Sequence, residues 1–252
     1  MPIVDLSVPL QPRPDERDLV RIEIEYDDHA EGAAAIERLF GVPRDLLRDG
    51  EGWAADTLKH LSTHATTHVD APWHYNSMVQ GERAKTIDQI PLEWFFAPGV
   101  VLDFTGRADG DAITAADLAP ALRTAGHTLS PGHIVLIHTG RDRYYDQIDY
   151  PARGPGVTAE ATHWLHDRGV RVVGIDAWGW DQPLHIQAEQ AKRARQPGIF
   201  WAAHQTDLEY CQIERLANLG ELPTTGFTVA CFPLKLIGGS AAPARVVAII
   251  PD

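Results

Sequence analysis

The chain has 252 residues, 44% of them hydrophobic, and a formal net charge of −13 at pH 7. Its size suits one α/β domain spanning residues 1–252, and its acidity argues against a nucleic-acid partner, whose phosphates require clustered Lys and Arg. Two cysteines are too few for a disulfide scaffold, and the sequence contains neither a secretory signal pattern at its start, MPIVDLSVPLQPRPDERD, nor a membrane-spanning apolar run, so a cytoplasmic protein without a membrane partner is expected.

The first predicted elements alternate or repeat in ways typical of strands and helices. Residues 1–10 predict a short strand, and the alternation of VRIEIEY at 20–26 predicts a second one. Residues 30–40 and 43–49 are predicted to be helices, separated by Gly-Val-Pro at 41–43.

From residue 100 onward, strands and helices alternate. Strands are predicted at 100–104, 133–140 and 170–176, with helices at 114–126 and 158–169 between them. This β-α-β spacing favours parallel neighbours. A helix at 204–216 is followed by two strands, 227–236 and 244–251, with no helix between them. We therefore predict a mixed sheet flanked by helices.

The densest chemistry lies in HATTHVDAPWHY, residues 64–75. Of the chain's 12 histidines, four lie at positions 60, 64, 68 and 74. Imidazoles together with the Asp70 carboxylate suit Zn²⁺ or Mn²⁺. Each histidine by itself is more often an ordinary core or surface residue, so the prediction of a metal site depends on the set.

The spacing restricts how His64 and His68 could share one ion. In an extended strand their Cα atoms would lie about 13 Å apart, which two imidazoles span only with difficulty. The β-branched neighbours and Pro72 disfavour a helix. A tight turn would let His64, His68 and Asp70 form a set of ligands with open positions, as in catalytic sites. His74, beyond Pro72, could then move protons.

HATTHVDAPWH resembles the H-x-G-T-H-x-D-x-P-x-H signature of the metal-dependent cyclase family of hydrolases, a family that includes bacterial kynurenine formamidase and isatin hydrolase. VVGID at 172–176 with Asp181-Gln-Pro, IERLANLGELP at 213–223 and CFPLKLIGGSAAPARVVAI at 231–249 resemble further stretches of that family. The resemblance implies a swivelling β/β/α fold, in which Glu214 of the stretch 213–223 lies at a helix end.

The resemblance also implies roles for particular residues. It makes His64, His68 and Asp70 metal ligands and His74 the acid/base. His204 and Glu214 match the ligands of a second metal, although their spacing is shorter than the family's. With one metal, Gln212 would be an accessory ligand or hold a water molecule. One departure is Thr66, which stands at the signature's glycine and would strain the loop if that position required a positive φ.

The expected activity is hydrolysis of an amide C–N bond by water activated on Mn²⁺ or Zn²⁺, with His74 as general acid/base. The substrate would be a cyclic amide such as isatin, or an N-formyl or aryl amide. Trp53, Trp73 and Trp178 are candidate pocket walls, although tryptophans often serve the core instead. The resemblance further implies a homodimer or homotetramer. A metal-dependent cyclase, dehydratase or lactonase, and an inactive metal-binding scaffold, are the alternatives.

Overall fold

The computed structural model describes residues 1–12 and 20–251, so residues 13–18 of the amino-terminal stretch searched for a signal lie outside it. In chain order the strands are β1 Ile3–Asp5, β2 Ile22–Asp27, β3 Ala55–Leu61, β4 His68–Asp70, β5 Met78–Val79, β6 Glu82–Arg83, β7 Phe96–Asp103, β8 Ala112–Ile113, β9 Ile134–His138, β10 Gly156–Val157, β11 Val172–Ile175, β12 Cys211–Glu214, β13 Phe227–Ala230, β14 Ala241–Pro243 and β15 Val247–Ile249. The helices are α1 His29–Phe40, α2 Pro72–Tyr75, α3 Ala115–Thr124, α4 Ala159–His166 and α5 Leu184–Ala194.

The chain divides into two compact units. The larger comprises Met1–Pro9 and Thr66–Asp252, and the smaller comprises Leu10–Ala65. The larger unit is built on a nine-stranded sheet in the order β1-β15-β13-β7-β9-β11-β12-β4-β14. Strands β7, β9, β11 and β12 are parallel to one another, and the outer strands pair antiparallel. The mixed sheet and the α/β class predicted from the sequence are confirmed.

Alternation along the central strands separates two hydrophobic cores. On β9, Ile134 and Leu136 point to one face, and Val135 and Ile137 point to the other. The first core combines sheet residues, such as Val229 of β13, with residues outside the strands, such as Phe95 and Leu219. The second core is covered by α3 and α4, which contribute the following apolar side chains: Leu118, Leu122, Ala161 and Leu165.

The helices of the larger unit begin where the sequence places capping residues. Thr114 and Asp117 form a reciprocal capping box at the start of α3. The hydroxyl of Thr158 accepts the Ala161 N–H at the start of α4. Pro120 lies inside α3, where it removes one backbone donor without ending the helix.

The smaller unit consists of the antiparallel ribbon β2–β3 and helix α1. Asp28 caps α1 through a capping box with Glu31, and Gly41 ends the helix in the left-handed conformation. Gly32 is required by close packing, because a Cβ atom there would lie 1.7 Å from the Trp53 carbonyl oxygen. The predicted helix at 30–40 and strand at 20–26 are both confirmed.

Three predicted elements are wrong or too long. Residues 43–49 do not form one helix: two 3₁₀ turns, Arg44–Leu46 and Arg48–Gly50, are separated by extended Leu47. The strand predicted at 227–236 ends at Ala230. The helix predicted at 204–216 is a turn followed by strand β12, so Glu214 ends a strand and not a helix. Helix α5 was not predicted.

Within residues 1–12 and 20–251, none of the helices combines the length and the apolar character needed to cross a bilayer.

Candidate active site

Two adjacent strands bring four polar side chains to one face of the sheet. Strands β4 and β12 pair antiparallel, with His68 opposite Glu214 and Asp70 opposite Gln212. Between them, Val69 and Ile213 point into the first core. Because side chains alternate along a strand, the four polar residues share the opposite face.

The imidazole of His68 meets two carboxylates in the buried interior. His68 Nε2 lies 3.2 Å from an Asp70 oxygen and 3.6 Å from a Glu214 oxygen. One donor atom from each of these residues can be chosen so that all lie within 4.8 Å of one another. The His68 and Asp70 side chains have no exposed surface. Two carboxylates buried this closely are costly unless a cation accompanies them.

The tautomer of His68 shows what kind of cation fits. Its Nδ1 lies 2.6 Å from the Thr66 carbonyl oxygen, a bond that requires the proton on Nδ1. In the neutral imidazole, Nε2 therefore directs a lone pair toward Asp70 and Glu214. Lone pairs directed at carboxylate oxygens repel one another, whereas a divalent metal between them would bind both kinds of donor. The donor set fits Zn²⁺ or Mn²⁺.

Gln212 extends this set of donors. Its Nε2 donates to the Tyr210 hydroxyl. Its Oε1 is buried and has no hydrogen-bond partner among the described residues. Because Gln212 faces the same side as Asp70, this oxygen is a further acceptor next to the carboxylate pair.

The threonines before His68 support the loop that leads into β4. Thr67 donates its hydroxyl to the Arg215 carbonyl oxygen at 2.6 Å and accepts the Val8 N–H at 2.9 Å. Thr66 is buried and donates to the Val8 carbonyl oxygen at 3.3 Å. Thr66 does not have a positive φ, so the threonine at the signature's glycine position causes no backbone strain.

The loop after β11 holds Glu214. The Trp180 N–H donates to a Glu214 carboxylate oxygen at 2.9 Å. The indole of Trp180 is fully buried, and its Nε1 donates to the Thr162 hydroxyl on α4 at 3.0 Å. Gly179 packs closely here, since a Cβ atom would lie 3.2 Å from a Glu214 oxygen. The backbone N–H of Trp180 in this loop thus fixes one carboxylate oxygen of Glu214.

A second buried cluster meets the first at Glu214. His204 Nδ1 lies 2.5 Å from an Asp181 oxygen, and its Nε2 lies 3.3 Å from the Glu214 oxygen that Trp180 also contacts. Asp181 in turn accepts the backbone N–H of Ala203 at 2.9 Å. Glu214 therefore lies between His68 and His204, an arrangement that can hold one metal ion or two.

The ionisation of these groups follows from their neighbours. Burial alone lowers the pKa of an imidazole, yet the hydrogen bonds to Asp181 and Glu214 raise the pKa of His204 to about 10. Burial and the nearby Asp70 raise the pKa of Glu214, but the hydrogen bond from His204 and the charge of that imidazole outweigh them and lower it. In the metal-free chain His204 is thus an imidazolium that offsets part of the carboxylate charge.

The acid/base candidate lies beside this second cluster. Helix α2 begins with Pro72 as its first residue and places His74 in its single turn. The imidazole of His74 lies 6.0 Å from that of His204, centroid to centroid. His74 is thus near enough to the cluster to exchange protons with a small molecule held there.

Of the predicted aromatic residues, Trp73 and Trp178 each pack against a cation. The Arg83 guanidinium lies 5.0 Å from the Trp73 ring, and that of Arg215 lies 3.6 Å from the Trp178 ring. Trp53 belongs to the smaller unit, where its ring contacts Phe40 edge-on at 6.2 Å. Their roles in substrate binding stay predictions.

His64 lies at the end of the smaller unit. It occupies a turn in which the Ala65 N–H donates to the Ser62 carbonyl oxygen at 3.0 Å. Its role as a metal ligand stays a prediction from the sequence signature.

A further aromatic residue beside the site, Trp201, has no signal in the sequence. Its ring stacks on His204 at 4.5 Å with an interplanar angle of 19°. A lone tryptophan in a turn has no periodic signal, and no pattern in the sequence could have placed it on His204.

The chain is similar in sequence to curated proteins named isatin hydrolase and kynurenine formamidase. The chain is 28% identical over 201 residues to "Isatin hydrolase" of Roseibium aggregatum, covering 76% of this chain and 73% of that protein. It is 30% identical over 190 residues to "Kynurenine formamidase" of Salinibacter ruber, covering 74% of this chain and 76% of that protein.

Solved structures agree in fold. Isatin hydrolase A from Labrenzia aggregata, solved with benzyl benzoate bound, superposes with a TM-score of 0.75 at 26% identity, covering 100% of this chain and 94% of that one. Isatin hydrolase A from Ralstonia solanacearum gives a TM-score of 0.77 at 22% identity, covering 99% and 92% of the two chains, which shows the shared fold. A family model described as "Putative cyclase" matches residues 4–182. The matched residues include His68 and Asp70 of β4. Because this family model covers well over half of the chain, the chain belongs to the cyclase family.

Proposed function

We propose that this chain is a metal-dependent hydrolase that cleaves a non-peptide amide C–N bond, in a cyclic amide such as isatin or in an N-formyl or aryl amide. The observation that carries the proposal is the Nε2 of His68 facing the Asp70 and Glu214 carboxylates. Relatives named isatin hydrolase and kynurenine formamidase support the bond type.

His64, His68 and Asp70 are proposed as ligands of one divalent ion, Mn²⁺ or Zn²⁺. Glu214 lies 3.6 Å from His68 and 3.3 Å from His204, which suits a shared ligand or a second ion held with His204. The Gln212 Oε1 would be an accessory ligand or would hold a water molecule. Nitrogen and oxygen donors accept either metal, so availability decides between them.

When bound, the metal would lower the pKa of a coordinated water and polarise the substrate carbonyl. The protein's own groups then have distinct tasks. The His74 imidazole takes a proton from the attacking water at a ring nitrogen and returns it to the departing amide nitrogen. Asp181 holds His204 Nδ1, and the Trp180 N–H holds Glu214, so neither side chain must reorient during turnover.

A small aromatic or cyclic amide is proposed to bind beside His74. Trp73 precedes it in α2, and Trp178 lies on the loop that holds Glu214. We propose Trp73, Trp178 and Trp53 as pocket walls. Each ring can stack on a flat substrate with little loss of conformational freedom.

We also propose that the protein is a homodimer or homotetramer in the cytoplasm. Six large apolar side chains among the described residues of the smaller unit are exposed, as expected for a surface covered by another copy: Tyr26, Leu39, Phe40, Leu46, Trp53 and Leu58. Light scattering after size exclusion tests the assembly, and cell fractionation tests the location.

The deciding experiment combines metal analysis with a substrate panel. Purified protein is loaded with Mn²⁺ or Zn²⁺, its metal content is measured, and isatin, N-formylkynurenine, formanilide and a lactone are tested. Hydrolysis of an amide that stops on chelation supports the proposal. Lactone cleavage alone, or metal binding without hydrolysis of any amide, contradicts it and favours a lactonase, a cyclase or an inactive scaffold.

A further inference from the structure

Trp201 packs against both of the histidines to which the proposed function gives different tasks, His74 and His204. Its indole stacks flat on the His204 imidazole, with centroids 4.5 Å apart and planes at 19°. The same indole meets the His74 imidazole edge-on, at 5.0 Å and 89°. One rigid ring therefore contacts both imidazoles.

The backbone of Trp201 is held in a conformation that tryptophan rarely adopts. Its φ is 63°, in the left-handed region that favours glycine. The half-buried side chain persists there because the Trp201 N–H donates to Gln187 Oε1 at 2.6 Å. Gln187 is itself buried on α5 and donates to the Gln182 carbonyl oxygen. Strain that neighbouring structure maintains in this way is typical of functional sites.

The rest of the His204 environment leaves the stacking to Trp201. Asp181 fixes Nδ1 of His204, and the Tyr75 ring meets the imidazole edge-on at 5.3 Å. Neither contact is a flat stack, whereas the contact with Trp201 is. Without Trp201, the His204 imidazole could tilt about its hydrogen bond to Asp181. The His74 imidazole would lose one of the rings that pack against it.

We propose that Trp201 is a positioning residue of the active site, whose indole ring fixes His204 and His74 relative to each other. This inference rests on the proposed hydrolase function, because it assigns proton transfer to His74 and metal binding to the His204 side. A displacement of about 1 Å between reacting groups lowers turnover by about a hundredfold, so fixing this separation matters for rate.

Trp201→Gly is the informative variant, because it removes the whole side chain with its indole, and glycine adopts a φ of 63° without strain. We expect kcat to fall about ten- to a hundredfold with KM changed less than about threefold, and the metal content to be unchanged. Trp201→Phe keeps an aromatic face and should stay within about threefold of the wild type. Phe200→Ala is the matched control, since it removes an exposed ring from the same turn.

A second readout does not depend on turnover. In the metal-free protein, the proton of His204 Nδ1 hydrogen-bonded to Asp181 should give a downfield nuclear magnetic resonance signal in slow exchange with water. We expect Trp201→Gly to lose this signal, and Trp201→Phe and Phe200→Ala to keep it. If the wild-type chain hydrolyses no amide, the proposed function fails while this signal still judges the role of Trp201.

The inference is overturned if Trp201→Gly keeps kcat within twofold of the wild type, if it keeps the downfield signal, or if Phe200→Ala loses activity equally. Should Trp201→Gly not fold, Gln187→Met tests the same contact by removing the acceptor of the Trp201 N–H. A three- to tenfold lower kcat together with a weakened downfield signal is then expected, and an unchanged kcat contradicts the inference.

Discussion

Two buried carboxylates lie at the carboxyl ends of neighbouring parallel strands of the same sheet, and their partners differ. Asp176 follows β11 and accepts three hydrogen bonds of 2.7 Å, from the N–H and hydroxyl of Thr139 and the N–H of Gly140. Glu214 ends β12, where it accepts the Trp180 N–H and faces the imidazoles of His68 and His204.

The comparison shows that burial and residue type do not by themselves identify a functional carboxylate. The Asp176 carboxylate accepts hydrogen bonds from neutral groups of the loop after β9. These bonds connect the ends of β9 and β11 and satisfy the carboxylate without a bound ligand. Around Glu214 the neighbours include the Asp70 carboxylate, which acts on it as a like charge, and the Nε2 of His68. A cation would complete the second arrangement, whereas the first is already complete.

The largest expected effect separates these two sites directly. Asp70→Asn removes one of the two negative charges beside His68, so we expect loss of bound metal and at least a thousandfold lower kcat/KM on the best amide. Asp176→Asn serves as the control and should keep the metal content of the wild type. Equal loss of metal in Asp70→Asn and Asp176→Asn would contradict the assignment of metal binding to Asp70 and of a structural role to Asp176.

His74→Ala tests the division of tasks on the metal side. Because His74 is proposed to move protons and not to hold the ion, we expect kcat to fall about 10²- to 10⁴-fold while the metal stays bound. Metal analysis and steady-state kinetics on the same preparation check both. Turnover within threefold of the wild type would exclude His74 from the mechanism.

Asp176→Asn should instead lower stability. The amide NH₂ group would face a backbone or hydroxyl donor of Thr139 or Gly140, leaving buried groups unsatisfied. We expect the free energy of unfolding at pH 7 to fall by about 2–4 kcal/mol, or Tm by about 5–10 °C. Denaturant unfolding measures it, and an unchanged midpoint would contradict the structural role given to Asp176.

The smallest expected effect is a dependence on pH. Burial raises the pKa of Asp176 to about 6, although the Thr139 donors lower it. Between pH 4 and 6 the folded chain thus binds this proton more tightly than the unfolded chain, so the stability contributed by Asp176 falls as pH rises through 6. The gap in unfolding free energy between wild type and Asp176→Asn should narrow from pH 4 to 7, by up to about 2 kcal/mol. A gap that widens with pH would contradict this.

The sequence predicted well what is encoded locally. His68 and Asp70 are two residues apart on a strand, so their shared face follows from the spacing, and Pro72 marks where the chain turns to present His74. The β-α-β order of the central strands likewise follows from local periodicity and from capping threonines.

The strand that completes the site was assigned wrongly for a physical reason. In β12, Gln212 and Glu214 are polar yet buried, because they face the site and not water. A pattern of polar residues among apolar ones was read as a helix, since periodicity assumes that polar faces are exposed. The pairing of Asp181 with His204, 23 residues apart, depends on the turn after α5 and has no local signal.

The most direct test of the account is anomalous diffraction from crystals of the metal-loaded chain, recorded on both sides of the Mn and Zn absorption edges. We expect an ion coordinated by His68 Nε2 and Asp70, with Glu214 as its neighbour or as a ligand, and no ion at Asp176. A loaded crystal without an anomalous peak beside His68, or with its peak at Asp176, would contradict the proposed metal site.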